Sequence, residues 1–237
     1  MLEGVGPTKL TNLAEGGVIL AVRKPAGISS FTVVRKIRGA SGVKRVGHAG
    51  TLDPFAEGLL VVGIGRSATK LLSHICDFDK EYIGTVTLGS ATDTGDPTGK
   101  VISESPVPPF SESELMVALG KFSGTIMQIP PIYSAIQIDG KRLYKLARKG
   151  IEIDRPARPV NIYQIEPLEV SGLGFLFRVV CSKGTYIRVL AEDIARELGT
   201  VGHLSKLVRT RIGEYSLGSA EDLLQLTRRL EEERRPA

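Results

Sequence analysis

Tryptophan is absent from the 237-residue chain, and aromatic residues together make up only 5% of it. The two cysteines and three histidines show none of the close spacings that metal sites need. Cys76 and Cys181 lie far apart among apolar neighbours, which indicates reduced core thiols of an intracellular protein. No apolar run approaches the length of a membrane span and no signal peptide is recognisable, so we expect a cytoplasmic protein.

The composition is that of a soluble chain with a sizeable core. Hydrophobic residues account for 42% of the sequence, which is enough for one large domain or a domain with an appendage. The formal net charge is +5 and the pI is about 9.2. This modest excess of cations permits a polyanionic partner without requiring one.

Strands and helices are mixed along the chain without a regular alternation. Strands are predicted over residues 17–22, 59–64, 81–89, 160–170 and 174–181. Helices are predicted after Ser29 or Ser30 with Phe31, Val34 and Ile37 on one side, over 68–75, after a capping box at Ser111 and Glu114, and over 142–149, 189–198 and 220–234. Adjacent strands joined by short turns predict an α+β (mixed α/β) fold, with a mainly antiparallel mixed sheet flanked by helices.

Asp53 lies near the end of a run that has two glycines before the acid and a proline directly after it, Gly47-His48-Ala49-Gly50-Thr51-Leu52-Asp53-Pro54. Glycine allows close backbone approach, and proline fixes the chain directly after the acid. Such a loop suits a carboxylate held at the floor of a cleft. On Leu52-Asp53-Pro54 alone, an ordinary turn is the favoured interpretation.

A candidate partner for Asp53 lies in the run Cys181-Ser182-Lys183-Gly184-Thr185-Tyr186-Ile187-Arg188. If this run is extended, Tyr186 and Arg188 project to the same face. A guanidinium forks onto carboxylates, so an Arg188–Asp53 pair would hold the acid in place. Alternatively, Arg188 is a surface residue near a helix start.

Two further residues have an ordinary interpretation beside a functional one. Tyr82 is either an aromatic platform for a nucleic-acid base or a half-buried strand tyrosine. Asp93 is either a second acid near Asp53 or a turn-forming aspartate.

Lysines and arginines cluster in three groups, which either follow a phosphate backbone or form solvated faces: 35–45, 141–149, and Arg209 with Arg211. The run Gly63-Ile64-Gly65-Arg66-Ser67-Ala68 matches a dinucleotide-binding pattern, but the βαβ context and the following acid are missing.

Five motifs in order resemble the TruB family of tRNA pseudouridine-55 synthases over about residues 17–215. Besides the run around Asp53 and the run ending at Arg188, the motifs are Lys24-Pro25-Ala26-Gly27-Ile28-Ser29-Ser30, Lys80-Glu81-Tyr82 and Thr92-Asp93-Thr94-Gly95-Asp96. The resemblance implies the pseudouridine synthase fold, with an active-site cleft across the sheet. It also implies a uridine isomerase acting in the TΨC loop of tRNA.

The resemblance also implies roles for individual residues. Asp53 matches the essential carboxylate, Tyr82 the tyrosine that stacks on the target base, and Arg188 the arginine that pairs with the acid. Residues expected to bind substrate or line the cleft are Lys24, His48, Asp93, Tyr186 and Leu207, of which His48 lies near the RNA and Leu207 packs under the base.

The expected reaction balances in atoms and oxidation state, so no redox cofactor, nucleotide or metal is required. The expected partner is the TΨC arm of tRNA, whose target nucleotide must leave its stack. We expect neither a membrane nor a metal partner, and a monomeric protein. An RNA-binding or tRNA-folding module on the same scaffold is the alternative.

The expected organisation is a single pseudouridine synthase catalytic domain over residues 1–237. A thumb-like RNA-contacting insertion is expected at about 125–155. Many bacterial members of the family carry a small RNA-binding PUA domain after the catalytic part, and we expect none in a chain of this length.

Overall fold

The computed structural model describes residues 17–133, 137–138, 141–142 and 155–234. These form two compact units, the first built from residues up to Lys80 and from Val208 onward, and the second from Glu81 to Leu207. Much of the insertion predicted at 125–155, and most of the helix predicted at 142–149, lies outside the described residues.

The first unit is a three-layered α/β structure. Its elements in chain order are β1 (Val18–Lys24), α1 (Ser30–Ser41), β2 (Val46–Ala49), β3 (Glu57–Ile64), α2 (Arg66–Asp77), the end of β12 (Gly202–Ile212), β13 (Tyr215–Ser216), β14 (Glu221–Asp222) and α5 (Leu223–Arg234). Helices α1 and α5 share one buried apolar cluster with β1 and β3, and α2 shares a second cluster with the remaining side chains of β3. Because β3 is covered on both faces, its sequence is a continuous apolar run.

Helix α1 begins as predicted at the serine pair. Ser29 is the N-cap, and its side chain accepts a hydrogen bond from Thr32 N at 3.1 Å. The buried face carries Val34 and Ile37, as predicted, but Phe31 is 63% exposed, so its assignment to that face is wrong. The three-residue spacing from Phe31 to Val34 suits one apolar helix face, but Phe31 lies in the first turn of α1, where the rest of the first unit leaves it uncovered.

The second unit holds a five-stranded sheet with helices. Its elements in chain order are β4 (Lys80–Leu88), β5 (Ser90–Thr92), β6 (Val101–Glu104), α3 (Glu112–Gly120), β7 (Gly124–Gln128), β8 (Gln137–Ile138), β9 (Lys141–Arg142), β10 (Arg158–Ser171), β11 (Gly174–Cys181), α4 (Ile187–Glu197) and the start of β12. The strand order in this unit is β12–β4–β11–β10–β7. The predicted hairpin of β10 and β11 is confirmed, and so is the capping box at Ser111 and Glu114.

Antiparallel pairing dominates both units, as predicted. Strands β1 and β2 pair antiparallel with β3, and β10 pairs antiparallel with both β7 and β11. Parallel pairing joins β1 to β14 and β12 to β3. No helix among the described residues is long and apolar enough to cross a membrane.

Gly58 allows β3 and β12 to approach each other closely in the first unit. It pairs with Arg209, has a φ of +108°, and a Cβ placed on it would lie 2.4 Å from Arg209 O and 2.7 Å from Arg209 N. Both clashing atoms belong to backbone, so no side chain can move aside. We therefore expect Gly58→Ala to lower the free energy of unfolding by about 3 kcal/mol or more.

Chemical denaturation of the wild type, Gly58→Ala and Gly27→Ala measures this effect. Gly27 also has a positive φ, +85°, but a Cβ there meets nothing within 4 Å. It therefore isolates the backbone strain from the clash. Equal losses in the two variants would show that the close strand approach contributes nothing.

Candidate active site

Asp53 lies in the loop between β2 and β3, and the backbone of this loop is fixed on both sides of the acid. Before it, Leu52 N donates to Ser30 Oγ at 2.9 Å, and the same hydroxyl donates to Leu52 O at 3.0 Å. After it, Pro54 O accepts a hydrogen bond from Gly27 N at 2.7 Å. The partly exposed Asp53 side chain therefore stands on a preorganised backbone. The first three residues of the motif belong to β2 rather than to the loop.

Lys24 is fully buried and ties the same loop to the end of β1. Its Nζ donates to Ile28 O at 2.7 Å, to Pro25 O at 2.9 Å and to Pro54 O at 3.3 Å. An ammonium has three donors, so all three are used by backbone carbonyls. The contacts of Lys24 in the first unit are those of a residue that holds the loop beside Asp53.

Burial lowers the pKa of Lys24 from 10.5 to about 8. The negative charge of Asp53 opposes this shift, and the positive charge of Arg209 adds to it. The lowered pKa means that burial disfavours the charged form of Lys24 in the folded state. Keeping Lys24 protonated at neutral pH therefore costs stability.

This titration predicts a pH-dependent stability. Between pH values of about 8 and 10.5 the folded protein binds fewer protons than the unfolded chain. The free energy of unfolding should therefore rise with pH in that window, by up to about 1.4 kcal/mol per pH unit from this group. Lys24→Met lacks the group, so its stability should rise less steeply. Urea unfolding of both proteins across the window tests this, and parallel curves would contradict it.

His48 lies on β2, opposite Val62 of β3. Burial lowers the pKa of His48, and the positive charge of Arg209 lowers it further. Its Nδ1 is buried without a hydrogen-bond partner among the described residues. The imidazole is therefore expected to be neutral at physiological pH. The contact of His48 with RNA stays a prediction.

In the second unit, Tyr82 lies on β4 and Leu207 on β12, with exposed fractions of 8% and 7%. Both side chains thus have most of their surface covered by protein. The stacking roles of Tyr82 and Leu207 stay predictions.

Arg188 is the second residue of α4, and Tyr186 is the N-cap of that helix. The extended geometry that would place both side chains on one face is therefore wrong. Gln128 fixes this helix start, since its Oε1 accepts from Tyr186 N at 3.0 Å and its Nε2 donates to Tyr186 O at 3.3 Å. A role of the Tyr186 side chain in substrate binding stays a prediction.

Arg188 is 4% exposed, so it is not a surface residue. Its Nη1 donates to Thr94 O at 2.6 Å, and its Nη2 donates to Tyr133 O at 2.9 Å. Asp96 Oδ2 lies 3.8 Å from Arg188 Nη1. The guanidinium is thus held by the turn that follows β5 and by the Tyr133 carbonyl.

Asp96 is a buried acid that sequence reasoning missed. Its Oδ1 accepts hydrogen bonds from Thr94 Oγ1 at 2.9 Å, Thr98 N at 2.9 Å and Thr98 Oγ1 at 2.5 Å. Asp93, by contrast, is exposed, and its Oδ1 accepts from Lys100 N at 2.9 Å. Both acids belong to the Thr92–Asp96 motif, and the spacing alone does not reveal which one faces inward. The role predicted for Asp93 stays a prediction.

The predicted site residues fall into two groups. Lys24, His48 and Asp53 belong to the first unit, and the others belong to the second, namely Tyr82, Asp93, Tyr186, Arg188 and Leu207. The loop contacts bring Lys24 and Asp53 together within the first unit. The ion pair between Asp53 and Arg188 stays a prediction.

Comparison with known families gives one match that covers most of the chain. Residues 38–187 match the family described as TruB family pseudouridylate synthase (N terminal domain). A protein of Bordetella pertussis named tRNA pseudouridine synthase B is 47% identical over 217 residues, which are 91% of this chain and 88% of that protein. A protein of the same name from Hydrogenovibrio crunogenus is 46% identical over 83% of this chain, which spans 64% of its length.

Solved structures give a matching fold. A chain of a crystallised Cbf5–Nop10–Gar1 complex superposes with a TM-score of 0.71 and 27% identity, over 93% of this chain and 56% of that one. A chain of the archaeal box H/ACA sRNP Nop10–Cbf5 complex superposes with a TM-score of 0.69 at 24% identity, which shows likeness of fold.

Proposed function

The chain belongs to the TruB family of pseudouridylate synthases, and we propose that it isomerises uridine to pseudouridine at position 55 in the TΨC loop of tRNA, with Asp53 as its catalytic carboxylate. The fold is the pseudouridine synthase fold, as the sequence predicted. The observation that carries the residue assignment is the Asp53 loop, whose backbone is fixed on both sides of the acid and which lies inside the span that matches the family.

The reaction needs a fixed carboxylate rather than a redox group. The C1′–N1 bond breaks, the uracil turns, and a C1′–C5 bond forms; C5 loses its proton and N1 carries one in the product. Asp53 attacks the sugar C1′, adds to uracil C6, or assists glycal formation, and all three routes use an ionised carboxylate. Tyr82 is the proposed stacking partner and the candidate base for the C5 proton.

A cationic surface of the first unit suits the phosphates of the tRNA arm. Residues 24–52 contain six lysines and arginines and no acidic residue. Among them Arg35, Lys36, Lys44 and Arg45 are exposed. Cations that neutralise phosphates make binding salt-dependent, and their contacts help to offset the cost of unstacking the target nucleotide.

The double variant Lys44→Gln, Arg45→Gln tests this surface. We expect weaker tRNA binding and a slope of log affinity against log salt that is lower by about 1.5, because each lost phosphate contact removes about 0.7–0.9. Arg228→Gln, which removes an exposed charge from α5, is the control. Equal salt slopes in the wild type and the double variant would remove these two cations from the interface.

Mapping of pseudouridine on an unmodified tRNA transcript tests the proposed function. Incubation with the purified chain should convert U55, and a transcript with cytidine at that position should remain unmodified. Stable tRNA binding without product would favour the alternative, an RNA-binding or tRNA-folding module. Conversion of another uridine instead would contradict the assigned position.

A further inference from the structure

Arg209 is a buried cation directly beneath the loop that carries Asp53. Its exposed fraction is 1%, although the sequence grouped it with Arg211 as cations that either follow a phosphate backbone or form a solvated face. Both interpretations are wrong for Arg209, since a side chain covered to this degree reaches neither solvent nor an RNA backbone. Burial of a charge is costly unless polar groups compensate for it, so the position calls for a structural or functional reason.

The guanidinium bridges two segments of the first unit. Its Nε donates to Leu59 O of β3, and its Nη2 donates to Gly50 O in the Asp53 loop, both at 2.9 Å. A guanidinium presents its donors in a rigid fork, so these two bonds fix the distance between strand and loop. The close pairing of Arg209 with Gly58 fixes the root of the side chain.

Gly50 is held on its other side as well. Its backbone N donates to Cys76 Sγ at 3.2 Å, and its φ is +69°. A Cβ placed on Gly50 would lie 3.3 Å from Arg209 Nη1, so the turn packs tightly onto the guanidinium. The loop therefore has a third fixed point, three residues before Asp53, besides those at Leu52 and Pro54.

We propose that Arg209 is a positioning residue for the isomerisation: by fixing the Gly50 carbonyl it sets the path of the loop and hence the place of the Asp53 carboxylate. This inference rests on the proposed function of the same site. The positive charge of Arg209 also lowers the pKa of His48 and of Lys24. The effect of the charge on these pKa values can therefore be measured separately from the effect of the hydrogen bonds on the loop.

Two variants separate the bridge from the charge. Arg209→Lys retains the positive charge but lacks the guanidinium that donates to both Leu59 O and Gly50 O, whereas Arg209→Met lacks both the charge and the donors. We expect kcat to fall about 10²-fold in both variants with tRNA affinity nearly unchanged, because displacement of a catalytic group by about 1 Å costs that much. The pKa of His48, followed by NMR, should rise in Arg209→Met and stay near the wild-type value in Arg209→Lys.

Arg229→Met is the matched control. Arg229 forms ion pairs with Glu221 and Glu233 in the same unit, and it is not among the residues whose hydrogen bonds to Gly50, Leu52 and Pro54 are described above. The variant should therefore be less stable than the wild type but keep the wild-type kcat below its melting temperature. A kcat loss in Arg229→Met equal to that of Arg209→Met would reduce Arg209 to a general stabilising role.

The thiol of Cys76 reports on the loop without any enzymatic assay. Release of Gly50 should expose Sγ, so we expect Cys76 in Arg209→Met to react with iodoacetamide about tenfold faster than in the wild type. Peptide mapping separates it from the buried Cys181. If Arg209→Met does not fold, Arg209→Lys provides the same comparison.

The outcomes are distinct. An unchanged alkylation rate, or a wild-type kcat in both Arg209 variants, overturns the positioning role. A wild-type protein that forms no pseudouridine refutes the proposed function, while faster alkylation in the variants would still show that Arg209 holds Gly50.

Discussion

Asp53→Asn is expected to reduce pseudouridine formation at least about 10³-fold, since removal of one member of a catalytic unit typically costs that much or more. Asparagine keeps the size of the side chain and removes the negative charge, so it neither attacks carbon nor accepts a proton. The backbone bonds at Leu52 and Pro54 do not involve this side chain, so the loop should retain its path. Single-turnover conversion of a tRNA transcript measures the effect.

Binding and stability controls make the Asp53 result specific. The affinity of Asp53→Asn for the same transcript should stay within about threefold of the wild type, because the cationic surface is untouched. Ser30→Ala is the complementary variant: it leaves the acid and removes both hydrogen bonds to Leu52. It should retain measurable activity. Turnover by Asp53→Asn at the wild-type rate would remove Asp53 from the chemistry.

Asp96→Asn is expected to lower kcat on the order of 10²-fold, because it removes a negative charge from a buried network that includes Arg188. Asp96 is 6% exposed, accepts three hydrogen bonds and faces Arg188. The variant removes the charge attraction between this side chain and Arg188, while its amide oxygen can still accept the hydrogen bonds from Thr94 and Thr98. The guanidinium should then adopt a less defined position.

Asp93→Asn separates the two acids of the same motif. Asp93 is exposed and accepts one backbone hydrogen bond, which asparagine also accepts. Its variant should change kcat much less than Asp96→Asn, by at most about fivefold, as is usual for exposed positions. Single-turnover rates of both variants, each with a melting curve, test the comparison. A larger loss of kcat in Asp93→Asn than in Asp96→Asn would support the role that the family resemblance gives to Asp93.

Much of the fold was predictable because its signals are local. The capping box at Ser111 and Glu114, the apolar run that became β3, and the hairpin of β10 and β11 each depend on near neighbours. The family resemblance added what periodicity does not supply, namely the pseudouridine synthase fold of the described residues, which the comparison of structures confirms, and a proposal for the catalytic acid.

Strand β12 was not predicted, and its burial pattern gives the reason. The buried positions are 202, 204, 207, 209 and 212, so the regular alternation of a strand is interrupted twice. One of those positions is Arg209, a residue type that almost always indicates solvent. The signal that could have revealed it is its pairing with Gly58, which depends on residues about 150 positions apart.

The roles of the site residues stay predictions, and the sequence was least informative where several residues compete for one role. Lys24 and Asp53 are brought together in one loop system of the first unit. Asp96 was missed because two acids stand in one turn, and the extended backbone considered for Arg188 is replaced by the first turn of a helix. Both depend on which side of a turn packs inward, which local sequence does not encode.

The most direct test of the account is an experimental structure of the chain bound to a TΨC stem-loop that carries the target uridine. We predict that the nucleotide is turned out of its stack, with an Asp53 carboxylate oxygen within about 4 Å of the ribose or uracil. A uridine bound elsewhere, or an Asp53 carboxylate about 10 Å or more from it, would contradict the central role of that acid.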